Sequence, residues 1–278
     1  MHPLNADLHC HSTISDGLLS PSEVVARAVA NGVEMLALTD HDELSGLGEA
    51  AAAAHNHGIR FINGVEISVS WGEQTVHIVG LNLASDSPEL LAGLAAVRAG
   101  RDSRAVEMGE ALAAVGFSNA HAGALKYVGN PALVSRSHFA RYLVEVGAAR
   151  DVKGVFDHYL VPGKPGFVEH EWASLADALG WIHAAGGLAV IAHPGRYRLS
   201  RVEMDQLFTR FRDLGGEAIE VVSGSHSHEA TLEYARIARR FGFLASRASD
   251  FHGPGESVVD IGRAERLPED LLPVWSRF

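Results

Sequence analysis

Cysteine is almost missing: the 278 residues hold one, Cys10. A single thiol excludes an intramolecular disulfide framework and fits a reducing compartment, so cytoplasm is the expected location. Long apolar stretches are missing too, because charge or glycine interrupts every run before the roughly 20 residues that a membrane span needs. The start of the chain shows no basic-then-apolar leader, and the expectation is a soluble protein working away from membranes. Basic residues are the third scarcity. With 23 Lys and Arg against 34 Asp and Glu, the formal charge of −11 excludes a nucleic-acid binder acting through its whole surface, though not a local basic pocket. Nothing in the composition implies an obligate protein partner.

Histidine is what the chain has in excess, with sixteen in all. The first cluster is Asp7-Leu8-His9-Cys10-His11-Ser12-Thr13, followed by Ser15-Asp16-Gly17. Side chains alternate along an extended strand, so Asp7, His9 and His11 share a face while Leu8 and Cys10 take the other. His9 and His11 then form a chelating pair, and Asp7 stands where a carboxylate would fix a ring tautomer. Cys10 reads as a small core residue.

The strand from about Pro3 to His9 leads to a helix opened by the capping box Ser20-Pro21-Ser22-Glu23 and closed at Gly32. Strand Glu34 to Thr39 ends on Asp40-His41-Asp42, and an Ala-rich helix runs from Leu47 to His57. Strand Arg60 to Val65 ends on Glu66; strand Gln74 to Leu81 carries His77. After Pro88 the alternation stops, and helices are predicted over Leu90 to Val115, Ser135 to Gly147 and Asp151 to Leu160. The loop Val161-Pro162-Gly163-Lys164-Pro165-Gly166 closes this stretch. Residues 88–167 thus read as a helical insertion between 1–87 and 168–278.

Alternation resumes with helix Ser174 to Ala185 and strand Leu188 to Ala192, which ends on His193-Pro194-Gly195. Helix Arg201 to Leu214, strand Glu217 to Val222, helix Glu229 to Phe241 and strand Phe243 to Ala248 follow, the last ending on Ser249-Asp250-Phe251-His252. Seven strands separated by helices predict parallel pairing through right-handed crossovers and an α/β fold, a (β/α)7 barrel rather than an open sheet. Barrel enzymes place their sites at the carboxyl ends of strands. His9, His11, Asp16, His41, Glu66, His77, His193, Asp250 and His252 gather at that end. Six imidazoles and three carboxylates exceed what one tetrahedral ion takes, so two or three divalent ions are implied; a nitrogen and oxygen set without thiolate suits manganese, zinc or iron alike.

These motifs resemble those of the PHP (polymerase and histidinol phosphatase) family. The resemblance rests on Asp7-Leu8-His9-Cys10-His11-Ser12, Thr39-Asp40-His41, Glu66, His77, Ala192-His193-Pro194 and Asp250-Phe251-His252. It implies a distorted seven-stranded barrel, similar to the amidohydrolases, with a two- or three-metal centre that hydrolyses phosphate esters. Within the insertion, Arg136-Ser137-His138-Phe139-Ala140-Arg141 and Pro162-Gly163-Lys164-Pro165 resemble a subgroup of 3′,5′-nucleoside bisphosphate phosphatases, which convert pAp to AMP, and of related 5′–3′ exonucleases that trim short RNA. Histidinol phosphate phosphatases share the metal motifs, and a non-catalytic metal-binding module is the remaining alternative.

The insertion adds its own argument. Arg98, Arg101 and Arg104 recur every three residues along one helix face, where Asp102 and Glu107 offer ordinary partners. Ser135 and Arg136 open a helix, a position that favours anions. A substrate with two phosphates needs one at the metals and one held by bidentate arginines. Ser135, Arg136, Arg101 and Arg104 are therefore expected at the remote phosphate, with Lys164 and Arg196 nearer the scissile group and Asp40 or His193 orienting or protonating. Trp172, Trp181 and Trp275 read as packing residues, and Ser225-His226-Ser227-His228 as an exposed loop.

Overall fold

Seven strands pair edge to edge in chain order: β1 (Ala6–Asp7), β2 (Met35–Leu38), β3 (Arg60–Trp71), β4 (Gln74–Leu81), β5 (Leu188–Ile191), β6 (Ala218–Val222) and β7 (Leu244–Arg247). This computed structural model describes residues 4–278, so Pro3, the expected start of the first strand, lies outside the described residues. The circle nearly closes between last strand and first. Leu8 N donates to Arg247 O at 3.1 Å, and past the strand ends Asp250 N donates to His9 O and His11 N to Phe251 O, both at 2.9 Å.

One strand departs from the expected parallel order. β3 and β4 are joined only by Gly72 and Glu73, with Gly72 at φ +57, and two residues can join antiparallel strands but not make a parallel crossover. β4 is antiparallel to both neighbours, β3 and β5. Its beginning therefore lies where the other strands end. His77, opposite Ser68 in this register, reaches the same rim as Glu66.

Strand alternation sorts the apolar side chains into two layers. Met35, Ala37, Val79 and Val190 fill the barrel interior. Leu36, Leu38, Ile78 and Ile191 face the surrounding helices α1 (Pro21–Ala30), α2 (Leu47–His57), α8 (Leu175–Ala184), α9 (Arg201–Asp213) and α10 (His228–Phe241). The capping box of α1 forms as expected, Ser20 accepting from Glu23 N and Ser20 N donating to Glu23 Oε2 at 2.8 Å.

Between β4 and β5 stand α3 (Pro88–Ala99), α4 (Arg101–Ala114), α5 (Ala120–Leu125), α6 (Arg136–Glu145) and α7 (Val152–Val155), the last continuing into a π-helical turn at Phe156–Leu160. The single helix expected from Leu90 to Val115 breaks at Gly100, where a Cβ would collide with the His170 ring. The break has a packing consequence. Leu90, Leu94 and Val97 of α3 join the barrel's outer layer, whereas a separate core of Met108, Leu112, Phe139, Leu143 and Leu160 starts only at α4. Among the described residues no helix is long and apolar enough to cross a membrane.

Gly93 on α3 lies against the Trp181 ring of α8, and a Cβ there would enter the indole. Gly93→Val should therefore cost about 1–3 kcal/mol by overpacking. Gly48→Ala, where nothing lies within 4 Å of the added carbon, should instead stabilise α2 by up to about 1 kcal/mol. Urea denaturation midpoints of the two variants should move in opposite directions.

Candidate metal centre and anion cleft

The rim of the barrel collects its polar side chains by chain geometry. Leaving β1, the chain presents His9 and His11, then Asp16 from the following loop; β2 is followed by His41, β3 and β4 carry Glu66 and His77, His193 follows β5, and Asp250 and His252 follow β7. Two of these residues have left-handed backbones, His193 at φ +27 and Asp250 at φ +53. Such conformations in non-glycine residues are strained and concentrate at functional sites.

The nine side chains converge. His9 Nε2 and His11 Nε2 are 3.1 Å apart, the separation that two nitrogens bound about 2.0–2.1 Å from one ion adopt. Glu66, fully buried, places Oε1 2.8 Å from His77 Nδ1 and 2.9 Å from His193 Nε2, and Oε2 2.8 Å from His41 Nδ1 and 3.3 Å from both His9 and His11. Asp250 Oδ1 lies 3.4–3.6 Å from His11, His9 and His252. Asp16 Oδ1 is 3.5 Å from His252 and 3.8 Å from His41. Donor atoms fall into overlapping sets such as His9/His11/Asp250, His41/Glu66/His77 and His11/Asp16/His41/His252.

Whether this set suits cations is tested by what its atoms lack. Among the described residues, Asp16 Oδ1, His41 Nδ1, Glu66 Oε2, His77 Nδ1 and Asp250 Oδ1 are buried without a hydrogen-bond partner. Buried polar atoms are normally satisfied, and five orphans converging in one place fit divalent ions, which bind oxygen and imidazole nitrogen together. The electrostatics show a carboxylate-rich site: although burial opposes it, Glu66 and Asp250 raise His9 and hold His11 up at about 10. Burial opposes charge on Glu66, Asp16 and Asp250, yet the surrounding imidazoles, and Arg196 beside Asp250, hold all three carboxyls well below the usual range. Burial lowers His77 and His252 to about 4, so both are neutral near pH 7, the form that ligates metals.

The carboxylate that orients His9 is not Asp7. Asp7 accepts from Ser249 N and Gly262 N and so ties down the loops after β7, while Glu220 of β6 accepts from His9 Nδ1 at 2.6 Å and from His193 N at 2.7 Å. Sequence reasoning missed Glu220, although a lone carboxylate in the buried strand Ala-Ile-Glu-Val-Val was its signal. Asp40 accepts from Ser12 N, Ser12 Oγ and Ser15 Oγ at 2.6–2.8 Å, shaping the loop that carries Asp16. His226 is no free loop residue: its Nε2 accepts from Gly195 N at 3.1 Å and its ring stacks on Tyr234.

Beside the cluster opens a cleft. Arg101 and Arg104 of α4, Ser135 and Arg136 at the start of α6, and Arg196 all line it, and Ser135 Oγ donates to Asp16 Oδ2 at 3.0 Å. Lys164 is not among its lining residues; the turn closed by Lys164 N to Val161 O leaves that side chain exposed. Trp172, expected only to pack, lines the cleft with the Arg101 and Arg104 guanidiniums 4.7 and 5.3 Å from its ring. Phe156 of the π-helical turn also faces the cleft.

The model of the PHP domain matches residues 7–189. The chain is 54% identical to a 3′,5′-nucleoside bisphosphate phosphatase of Chromobacterium violaceum over 98% of this chain and 95% of that one, and 43% identical to a 5′-3′ exoribonuclease of Haemophilus influenzae over 98% of each. A solved amidohydrolase from Chromobacterium violaceum, with sulfate bound and no metal, superposes with a TM-score of 0.95 at 53% identity, covering 98% of this chain and 95% of that one.

Glu220 supplies a measurable consequence. Glu220→Gln should weaken metal affinity about 10–100-fold by releasing the His9 ring, as read by metal titration, while the barrel's circular dichroism stays native.

Proposed function

Because the chain belongs to the PHP domain family, we propose that it is a metal-dependent phosphatase that removes the 3′-phosphate of nucleoside 3′,5′-bisphosphates, converting pAp to AMP and phosphate. One observation carries this reading: a single cleft is lined both by imidazoles and carboxylates of the cluster and by four arginines. A ligand with one phosphate satisfies one of these sets. A bisphosphate satisfies both.

Two or three divalent ions, manganese with zinc or iron as alternatives, would be held by His9, His11, Asp16, His41, Glu66, His77, His193, Asp250 and His252 and would supply hydroxide and Lewis acidity near neutral pH. Arg196, 2.6 Å from Asp250 Oδ2, stands at the rim where charge develops on the phosphoryl oxygens. Residues 88–167 serve as a cap whose Arg101, Arg104, Ser135 and Arg136 face the second phosphate. Asp40 has its oxygens engaged by Ser12 and Ser15, so it holds the Asp16 loop rather than donating a proton. Cys10 is buried in the apolar layer with its thiol against Ala37 O, which leaves no thiol nucleophile at the cleft and fits direct hydrolysis without a covalent phosphoenzyme. The working location is the cytoplasm.

The exoribonuclease relative favours a second reading, 5′–3′ exonuclease action on short oligonucleotides in the same cleft. Phosphate release by manganese-loaded protein from pAp, 3′-AMP, 5′-AMP, histidinol phosphate and a short 5′-phosphorylated RNA separates the two. Fast loss of one phosphate from pAp, with slow turnover of the others, is expected; preference for the RNA would overturn it in favour of the exonuclease, and inactivity on all five would leave a non-catalytic module. Asp250→Ala should lose turnover and bound metal together, as activity and elemental analysis will show.

A further inference from the structure

The strands that lead to His77 and His193 are joined by an irregular rung. β4 and β5 pair antiparallel through Ile78 and Ile191, and one step toward the rim Ala192 N donates to His77 O at 3.1 Å. Residues paired in this way in an antiparallel ladder exchange two such bonds, so the return bond would run from His77 N to Ala192 O. The Tyr197 hydroxyl stands in that bond instead. It accepts from His77 N at 2.9 Å and donates to Ala192 O at 2.8 Å.

Tyr197 is brought there by the segment that follows β5. Pro194–Arg196 form a short turn, and Arg198, just beyond Tyr197, is stitched to the first residue of β4: Gln74 Nε2 donates to Arg198 O at 2.8 Å, and Arg198 N to Gln74 Oε1 at 3.1 Å. The Tyr197 ring meets the His193 ring edge-on, 5.7 Å between centres. One side chain thus touches the backbone of His77 and the ring of His193. Those two imidazoles are the ones that approach Glu66 Oε1, at 2.8 and 2.9 Å. Tyr197 is not among the residues that line the cleft, so its role is exerted through its neighbours.

We propose that Tyr197 is a positioning residue of the metal centre: its hydroxyl, inserted between β4 and β5, sets the spacing of His77 and His193 about Glu66 Oε1. The inference rests on the cluster being a metal centre and is independent of which phosphate ester is hydrolysed. Without the hydroxyl the rung closes to a direct bond of about 2.9 Å. That closure draws the backbone of His77 toward β5 and carries its ring off Glu66.

The test titrates metal-free wild type, Tyr197→Phe and Gln74→Ala with cobalt(II) chloride, with Tyr142→Phe, a buried tyrosine of the insertion core, as control. Affinity in Tyr197→Phe should fall at least about tenfold, the scale expected when a group that orients a metal-binding imidazole is removed. The visible absorption of the bound cobalt should change in position or intensity as well, because it reports ligand geometry. Gln74→Ala, which frees the segment without touching Tyr197, should lower affinity in the same direction, and Tyr142→Phe should match wild type in both readouts. The melting temperature of the metal-free protein records any purely structural loss. A lower melting temperature with unchanged affinity and spectrum makes Tyr197 a packing residue and overturns the assignment; if Tyr197→Phe does not fold, unchanged values in Gln74→Ala do the same. Wild type that binds no cobalt overturns the metal centre itself, and this assignment with it.

Discussion

Glu66 is the residue on which the centre depends. It is fully buried, and its two oxygens face five imidazoles, those of His9, His11, His41, His77 and His193. A carboxylate withdrawn from water costs several kcal/mol unless positive charge surrounds it. Without metal the imidazoles share that charge unevenly: although burial opposes it, the carboxylates raise His9 and hold His11 up at about 10, while burial keeps His77 neutral near pH 7. Divalent cations resolve the conflict, because they neutralise the carboxylate while the rings stay in their ligating form. Strand ends, loop shapes and strained backbones at His193 and Asp250 all serve to keep these groups facing inward.

Around that centre the protein spends its remaining carboxylates on aiming rather than on binding. Glu220 fixes the ring of His9 and the backbone of His193; Asp40 shapes the Asp16 loop; Asp42 holds Arg101. The helical insertion is tied down in the same way. Arg141 of α6 makes a two-pronged pair with Glu256 at 2.8 Å and donates to Asp16 O at 2.5 Å, so one side chain joins insertion, terminal loop and metal rim. An insertion packed on a separate core needs such links if its arginines are to keep a fixed distance from the imidazole and carboxylate cluster.

Much of this was legible in the sequence, for a physical reason. Imidazoles and carboxylates at strand ends are costly except around cations, so His9, His41, His193 and Asp250 announce themselves by position alone. The strand count, the capping box at Ser20 and the insertion after Pro88 follow from local chemistry in the same way. What was not legible depends on where segments meet. The reversal of β4 turns on the two-residue link Gly72-Glu73, and the break of the long helix turns on His170, seventy positions from Gly100. The partners His9 and Glu220 lie 211 residues apart. Trp172 and Lys164 show the limit clearly: one was set aside as packing and lines the cleft, while the other was expected there and points to solvent.

The seam between β7 and β1 has a consequence for how the protein comes into being. Its hydrogen bonds join Leu8 to Arg247 and His9 to Asp250, and the same stretches carry His9, His11, Asp250 and His252. The Glu66–His77 hairpin is local and can form early, but contacts this distant in sequence form late because a long loop must close first. During synthesis on the ribosome, the growing chain lacks Asp250 and His252 until the segment after β7 emerges. Hydrolytic power thus arrives with barrel closure, because a partly made chain lacks part of its metal-binding set.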